Sequence, residues 1–250
     1  LITENNIKKF KIFDYVKVSL DSEKETINDI TRGKGTYKKI IRALDLLKDN
    51  KISTHIGSVV TKYNKDSIAE LLQFINDRYS VVSHSLTNYI PVGRGKECNI
   101  GCSFEEIDIV NETIFQTKRQ MQENNIDMIA QDVFYDDGKK TSCGMGMGEI
   151  FINYKADVYP CRMTYSQEYY LGNVLATGLK KALSNFDEQR KMFHVDNLEC
   201  KDCDYKYLCG GGCRMYHAGY SGDIRKNCSN VCKQYKNQIK KLVLIKNGVL

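Results

Sequence analysis

Ten cysteines are the residues of this sequence whose type and spacing could carry chemistry. Eight of them lie after residue 140, in the order Cys143, Cys161, Cys200, Cys203, Cys209, Cys213, Cys228 and Cys232. The densest segment reads C-x2-C-x5-C-x3-C, and two thiolates separated by two residues lie on one tight turn, where they can bind one metal centre. Gly210, Gly211 and Gly212 allow the backbone to fold around a bulky inorganic group. The spacing therefore predicts a metal centre held by thiolates.

Two kinds of metal centre fit eight clustered thiolates. Two tetrahedral zinc sites would use four thiolates each. The intervals of five and three residues differ from the paired C-x2-C motifs of a zinc ribbon, and they suit a larger group than one ion. The pattern favours iron–sulfur clusters, and zinc remains the alternative.

Disulfide bonds are the other common use of an even number of cysteines, and they belong mainly to secreted proteins. Residues 1–11 contain no apolar stretch and no cleavage site of the kind that ends a signal peptide. We therefore expect reduced thiols and a cytoplasmic location. No run approaches 18 apolar residues, so the sequence predicts no membrane span and no membrane partner.

The charge of the chain gives little support for a nucleic-acid partner. The 250 residues carry a formal net charge of +6, but acidic and basic residues alternate along most of the chain. Residues 177–250 are the exception, with 14 Lys or Arg against 7 Asp or Glu. Because thiolate-bound iron–sulfur clusters are anionic, we interpret this basic segment as compensation for clusters, and we expect no nucleic-acid partner.

The first half of the sequence alternates strand and helix patterns. Strands are predicted at residues 15–20, 53–60 and 81–90, and helices at residues 37–48, 64–77 and 105–124, with Thr36 as the N-cap of the first helix. Strands and helices alternating at this spacing are typical of βα units with a parallel sheet, either open or barrel-like. The fold class predicted for this half is α/β.

The second half loses this regularity near Ile129. A hairpin is predicted from strands at residues 149–153 and 157–159, followed by a short helix at 178–185 and a final helix at 230–246. The cysteine-rich stretch between these helices has few apolar residues, so its folding needs another source of free energy, which metal clusters would supply.

The pattern of the second half resembles the SPASM domain of radical S-adenosylmethionine (SAM) enzymes, which binds two auxiliary 4Fe–4S clusters. That domain begins with a cysteine, a stretch of nine to fifteen residues, a glycine, four residues and a second cysteine. Here Cys143 is followed by twelve residues, by Ala156 in place of the glycine, by four residues and by Cys161. The later C-x2-C-x5-C-x3-C block matches without adjustment, and the phrases at 171–174 and 211–214 are also similar to the family.

The resemblance implies which thiols bind which cluster. Cys200, Cys203, Cys209 and a final cysteine would hold one cluster, and Cys143, Cys161 and Cys213 would hold the other. Cys232 is preferred over Cys228 as the final ligand. Cys228 would then be a spare thiol, or it would complete the second site. Cys98 and Cys102 are interpreted as incidental thiols.

The first half resembles the later strands of the radical SAM partial barrel, in which Ser19 and Arg32 would lie beside bound SAM. The signature C-x3-C-x2-C of that family does not occur in these 250 residues. The pairs that begin at Cys98, Cys209 and Cys228 are followed by Glu105, Tyr216 and Tyr235 at the third position. The chain begins with Leu1, so the signature and the third cluster that binds SAM are expected upstream of it.

The resemblance thus implies an incomplete TIM-like radical SAM barrel at residues 1–128, followed by a small irregular α+β SPASM domain at residues 129–250 organised by iron–sulfur clusters. It implies an enzyme that modifies a peptide or protein side chain through a 5′-deoxyadenosyl radical. Its auxiliary clusters would transfer electrons or ligate substrate, and its reductant would be a protein such as flavodoxin or ferredoxin. These residues alone are expected to be inactive. The alternative is a non-enzymatic iron–sulfur or zinc protein for electron transfer or binding.

Overall fold

The computed structural model describes residues 2–121 and 139–247. These residues form two compact units. We call residues 2–89 and 100–121 the sheet unit, and residues 90–99 and 139–247 the cysteine unit. The sequence-predicted division between residues 128 and 129 lies outside the described residues and stays a prediction.

The sheet unit contains three strands and four α-helices. Their order is β1 (Val16–Ser19), α1 (Glu25–Arg32), α2 (Thr36–Asp49), β2 (Thr54–Val60), α3 (Ile68–Arg78), β3 (Ser83–Asn88) and α4 (Phe104–Met121), with 3₁₀-helices at Ile7–Ile12 and Lys65–Ser67. The strands form one parallel sheet in the order β1-β2-β3, in which Val18 pairs with Ile56 and Ile56 with His84. The predicted α/β architecture is confirmed for this half.

The core of the sheet unit lies between the sheet and its helices. Alternate residues of β2 are buried, as a strand covered on one face requires. Leu20 and Ile56 pack there against Leu44 of α2 and Leu71 of α3, and a neighbouring apolar cluster joins α3 to α4. The 3.6-residue spacing of apolar side chains that predicted α2 and α3 is the spacing that buries them.

The start of α2 differs from the prediction. Thr36 is the first helical residue, and the N-cap position is occupied by Gly35 at φ 75°. The carboxylate of Asp29 accepts hydrogen bonds from the backbone N–H groups of Gly35 and of Tyr37, the latter at 2.8 Å. The cap therefore comes from α1, a helix of eight residues with only two apolar side chains, which the pattern analysis missed.

The cysteine unit consists of short elements. A 3₁₀-helix occupies Gly93–Glu97, and others lie at Arg162–Thr164, Gln167–Tyr169 and Val195–Asn197. The strands are β4 (Phe151–Ile152), β5 (Asp157–Tyr159) and β6 (Gly172–Asn173), and the helices are α5 (Val174–Thr177), α6 (Leu179–Ser184), α7 (Asp187–Met192), α8 (Lys206–Cys209), α9 (Arg214–Ser221) and α10 (Ser229–Lys246). The strands form an antiparallel sheet in the order β4-β5-β6, so the predicted hairpin is confirmed.

The turn of this hairpin contains Ala156, which has φ 65°. This is the left-handed region that glycine favours and that a β-carbon makes costly. The side chain of Asn153 stabilises the turn, because its Oδ1 accepts the backbone N–H groups of Lys155 at 2.8 Å and Asp157 at 3.0 Å. The turn thus forms with alanine at the position where the resembled domain has glycine.

None of the helices in residues 2–121 and 139–247 combines the length and the apolar character that crossing a bilayer requires.

Candidate metal centre

Four of the sequence-predicted thiols line one small, partly open pocket. These are Cys200 and Cys203 in the loop before α8, Cys209 at the end of α8, and Cys232 in the first turns of α10. We call this space the four-cysteine cavity. Gly211, Gly212, His217, Asn227 and Lys236 also border it. Residues from 200 to 236 therefore converge on one pocket.

The thiols of this cavity are close enough to act on one another. Burial raises the pKa of the Cys232 thiol to about 11, and the thiols of Cys209 and Cys200 raise it further. Burial also raises the pKa of Cys209, and backbone N–H groups of Gly211 and Gly212 oppose that shift by donating to its sulfur. The raised pKa values of Cys209 and Cys232 favour the neutral thiols, and binding of a metal cation would favour the thiolates and release their protons.

Residues 210–212 need to be glycine for two reasons. Their backbone conformation favours glycine, and a side chain there would collide with neighbouring groups. Gly210, Gly211 and Gly212 have φ of 61°, 79° and 66°. A β-carbon on Gly212 would lie 2.7 Å from Cε2 of Tyr235 and 3.1 Å from Nε2 of His217. The chain at these residues passes directly behind the cavity wall, so side chains there would displace the groups that line it.

His217 presents a hydrogen-bond donor at the cavity. Its side chain is buried, and its Nδ1 accepts the backbone N–H of Cys228 at 2.9 Å, which places the ring proton on Nε2. Within the described part of the chain, Nε2–H has no hydrogen-bond partner. A sulfide or thiolate in the cavity would accept this proton, so the unpartnered donor fits an iron–sulfur cluster.

Three further predicted ligands, Cys143, Cys161 and Cys213, lie elsewhere in the cysteine unit, and we call them the three-cysteine site. The half-buried Cys161 and Cys213 pack against an apolar cluster that includes Val158 and Phe186. Burial raises the pKa of the Cys161 thiol, the N–H of Met163 lowers it, and Glu149 and Cys143 raise it.

The loop that carries Cys143 is held beside Cys161 by its backbone. The N–H of Gly146 bonds the carbonyl of Pro160 at 2.8 Å, and a β-carbon on Gly146 would lie 2.4 Å from Cδ1 of Phe186. The structure therefore holds the loop of Cys143 against the residue that precedes Cys161.

Cys228 does not line the four-cysteine cavity. It lies one helical turn before Cys232, whose N–H bonds its carbonyl at 3.0 Å, and it acts through its own backbone on His217. Cys98 is exposed in the cysteine unit, whereas Cys102 is half-buried in the sheet unit, where burial raises the pKa of its thiol to about 11. None of the ten cysteines forms a disulfide bond in the structure.

The two residues predicted to lie beside SAM are at one end of the sheet. Ser19 is exposed and is the last residue of β1. Arg32 is the last residue of α1, and its Nε and Nη2 each donate to the carboxylate of Asp21 at 2.7 Å. Asp21 is buried and also accepts the N–H of Val59 at 2.9 Å, so it ties Arg32 to the ends of β1 and β2.

Sequence reasoning missed Asp21, His217 and Arg214 as residues of these sites. No metal-binding spacing in the sequence includes His217. The signal available was its position four residues after Cys213, which places both residues on neighbouring turns at the start of α9. Asp21 follows a predicted strand end, but nothing in the sequence indicates its partner Arg32, eleven residues later.

Comparison with known proteins gives two family matches. The radical SAM superfamily matches residues 2–75, and the SPASM iron–sulfur cluster-binding domain matches residues 143–204. These matches confirm the resemblance found in the sequence.

Several curated relatives match most of the chain. An uncharacterised protein of Archaeoglobus fulgidus is 28% identical over 88% of this chain. Mycofactocin maturase MftC of Mycolicibacterium smegmatis is 25% identical over 85%, and a cysteine-type anaerobic sulfatase-maturating enzyme of Clostridium perfringens is 27% identical over 88%. The matches cover 55%, 56% and 63% of the lengths of these relatives. The chain thus spans little more than half of each relative.

Solved structures share the fold. The structure of native anSMEcpe with bound AdoMet and Cp18Cys peptide superposes with a TM-score of 0.75 at 20% identity, over 100% of this chain and 74% of that one. Streptococcus suis SuiB bound to its precursor peptide SuiA gives a TM-score of 0.64 at 16% identity, over 92% of this chain and 56% of that one. The predicted fold is confirmed by these likenesses.

Proposed function

We propose that this chain, which belongs to the radical SAM superfamily in residues 2–75 and to the SPASM family in residues 143–204, is part of an enzyme that modifies a peptide or protein side chain. The observation that carries the proposal is the four-cysteine cavity. It gathers Cys200, Cys203, Cys209 and Cys232 around one pocket, and four thiols are the ligand set of a 4Fe–4S cluster. Two relatives named as maturases support the choice of substrate class.

The proposed ligands follow from the two groups of thiols. The four-cysteine cavity would hold one 4Fe–4S cluster, with Nε2–H of His217 directed at it. The three-cysteine site would hold the second cluster through Cys143, Cys161 and Cys213. When bound, these clusters supply electron transfer or substrate ligation, and the SAM-binding cluster, which we place upstream of Leu1, supplies the 5′-deoxyadenosyl radical.

The sheet unit would contribute to SAM binding through the end of β1. Ser19 offers an exposed hydroxyl there, and Asp21 fixes the guanidinium of Arg32 by two hydrogen bonds. A bidentate ion pair of this kind orients the remaining N–H donors of the arginine, which could then bind a carboxylate or hydroxyl of SAM. The reductant would be a small electron-transfer protein such as flavodoxin or ferredoxin. Ten cysteines without a disulfide bond support a reducing, cytoplasmic compartment, and neither nucleic acid nor membrane is proposed as a partner.

Anaerobic reconstitution with iron and sulfide, followed by iron analysis and Mössbauer spectroscopy, tests the two clusters. About eight irons per chain are expected, and fewer than about six would contradict two 4Fe–4S clusters. Reconstitution in the presence of excess zinc is the matched control. Retention of zinc in place of iron, with four thiolates around each ion, would support the zinc alternative.

SAM chemistry is tested in the same protein and in the polypeptide extended upstream of Leu1. Residues 1–250 are expected to form no 5′-deoxyadenosine from SAM, because they lack C-x3-C-x2-C. The extended protein is expected to form it with a reductant. If the extended protein holds its clusters and never cleaves SAM, the chain is part of a non-enzymatic iron–sulfur protein.

A further inference from the structure

Arg214 is a buried cation without a carboxylate partner. It is the first residue of α9, directly after Cys213, and its relative exposure is 0%. No Asp or Glu in the described part of the chain lies within 4.0 Å of its guanidinium. An unpaired buried charge is strongly unfavourable, and a cation at a helix N-terminus is opposed further by the helix dipole. Some other anionic group must therefore balance Arg214.

Neutral oxygens hold the guanidinium in place. Its Nε donates to the carbonyl of Ile224 at 2.8 Å, and its Nη2 donates to the carbonyl of Lys226 at 2.7 Å. Its Nη1 donates to the carbonyl of Gly211 and to Oδ1 of Asn227, both at 2.9 Å. These bonds satisfy donors and fix the position of the group, but they do not neutralise its charge.

The guanidinium of Arg214 is connected to both groups of cysteines through its hydrogen-bond partners and its neighbour in the chain. Gly211 and Asn227, which accept from Nη1, line the four-cysteine cavity, so the charge lies behind the wall of that cavity. On the other side Arg214 is covalently next to Cys213 of the three-cysteine site. Burial lowers the pKa of Arg214, and the thiols of Cys200, Cys143, Cys232 and Cys213, two from each group, raise it.

We propose that Arg214 is the counter-ion shared by the two iron–sulfur clusters and that its charge raises the reduction potential of both. This inference rests on the proposed function, since it requires both clusters. Each cluster gains a negative charge when it accepts an electron, and a fixed cation in a buried environment stabilises that charge. Arginine keeps its proton under all ordinary conditions, so the effect is permanent.

Two substitutions separate the charge of Arg214 from its hydrogen bonds. Arg214→Lys keeps the charge and loses the planar set of donors, whereas Arg214→Gln loses the charge and keeps an amide donor. The matched control is Arg225→Gln, because Arg225 is an exposed arginine of the same unit, paired with Asp223 at 3.2 Å and screened by water. The measurement is a redox titration of the reconstituted 250-residue chain, with the two clusters followed separately by electron paramagnetic resonance.

Arg214→Gln is expected to lower the reduction equilibrium constant of both clusters about tenfold or more, which is about 59 mV for a one-electron couple. Arg214→Lys is expected to keep most of the wild-type potential, and Arg225→Gln to keep all of it. Equal shifts in the Gln and Lys variants would overturn the inference, because the hydrogen bonds would then be responsible. A shift in one cluster only would overturn the shared role.

If Arg214→Gln does not retain iron, the Arg214→Lys variant tests the role of the charge. Recovery of iron and of potential in Arg214→Lys would then support the charge, and loss of iron in both variants would overturn it. The proposed function fails separately, when the wild-type chain itself binds fewer than about six irons. If the wild-type chain binds both clusters and Arg214→Gln leaves their reduction potentials unchanged, this inference fails and the proposed function stands.

Discussion

The sheet unit and the cysteine unit both have apolar cores, but they place their buried polar groups differently. In the sheet unit, buried polar side chains such as Asp21 and Asn64 hydrogen-bond backbone groups of the strands and of the loops that follow them. In the cysteine unit, the buried side chains of Arg214 and His217 lie close to the clustered cysteines. The two units therefore differ in what surrounds their buried polar groups.

This difference bears on where each unit obtains its folding free energy. Apolar burial stabilises both units without an added group. Clusters bound as proposed would add free energy to the cysteine unit alone, because metal binding and local folding are coupled. Four experiments test this difference between the units.

Removal of iron gives the largest expected effect. Anaerobic chelation of the reconstituted chain should speed hydrogen exchange of backbone amides at residues 198–232 by about 100-fold or more, because metal binding and local folding are coupled. Amides of β2 should keep their protection, since their core is apolar. Equal loss of protection in both units, measured by exchange and mass spectrometry, would remove the distinction between them.

Substitution of Cys232 is expected to remove one cluster. Cys232→Ser should reduce iron from about eight to about four per chain, because Cys232 lines the four-cysteine cavity. Cys228→Ser is the matched control, one helical turn earlier, and should retain about eight. Iron analysis with Mössbauer spectroscopy gives both numbers. If Cys228→Ser instead binds about four irons and Cys232→Ser binds about eight, Cys228 is the ligand.

A pH effect is expected in the sheet unit. Burial lowers the pKa of His84 from 6.5 to about 3, and Lys118 and Lys17 lower it further. Well above pH 6.5 the His84 ring is neutral in both the folded and the unfolded chain, so its full contribution to the unfolding free energy is present. As the pH falls, the unfolded chain binds a proton that the folded chain does not, and about 2 kcal/mol of unfolding free energy is lost by pH 5.

Replacing this histidine should remove that loss. His84→Gln keeps a donor for Ser58, whose hydroxyl lies 2.7 Å from Nε2 of His84, but it does not titrate. Urea unfolding at pH 7 and pH 5 compares the two proteins. His194→Gln, which changes an exposed histidine of the cysteine unit, is the control and should keep the wild-type pH dependence. An unchanged pH dependence in His84→Gln would exclude His84 as its source.

The smallest expected effect is in the hairpin turn. Ala156→Gly should raise the unfolding free energy of the cysteine unit by about 1 kcal/mol, because glycine adopts φ 65° without the strain of a β-carbon. Ala176→Gly, the same substitution inside α5, should lower it by up to about 1 kcal/mol. Thermal unfolding measures both, and two changes of the same sign would contradict the strain at Ala156.

Most of the regular elements could be predicted because their signals are local. The strands at Thr54–Val60 and Asp157–Tyr159 and the helix at Ser229–Lys246 begin and end within a few residues of the predicted bounds. Three helices that the pattern missed are α1, α7 and α9. Of these, α1 has only two apolar residues among its eight, and polar contacts such as the bond from Asp21 N–H to Asn28 Oδ1 hold it.

By itself the sequence predicted a set of thiols as metal ligands, since ligand spacing along the chain is a local property that metal chemistry restricts. It also determined the fold class, because alternating strands and amphipathic helices bury their apolar faces in few ways. Only the tertiary structure decided that Cys232, and not Cys228, lines the cavity with Cys200, Cys203 and Cys209. It alone placed the charge of Arg214 beside both groups of thiols. These choices depend on contacts between residues far apart in the chain, and such contacts leave no spacing pattern.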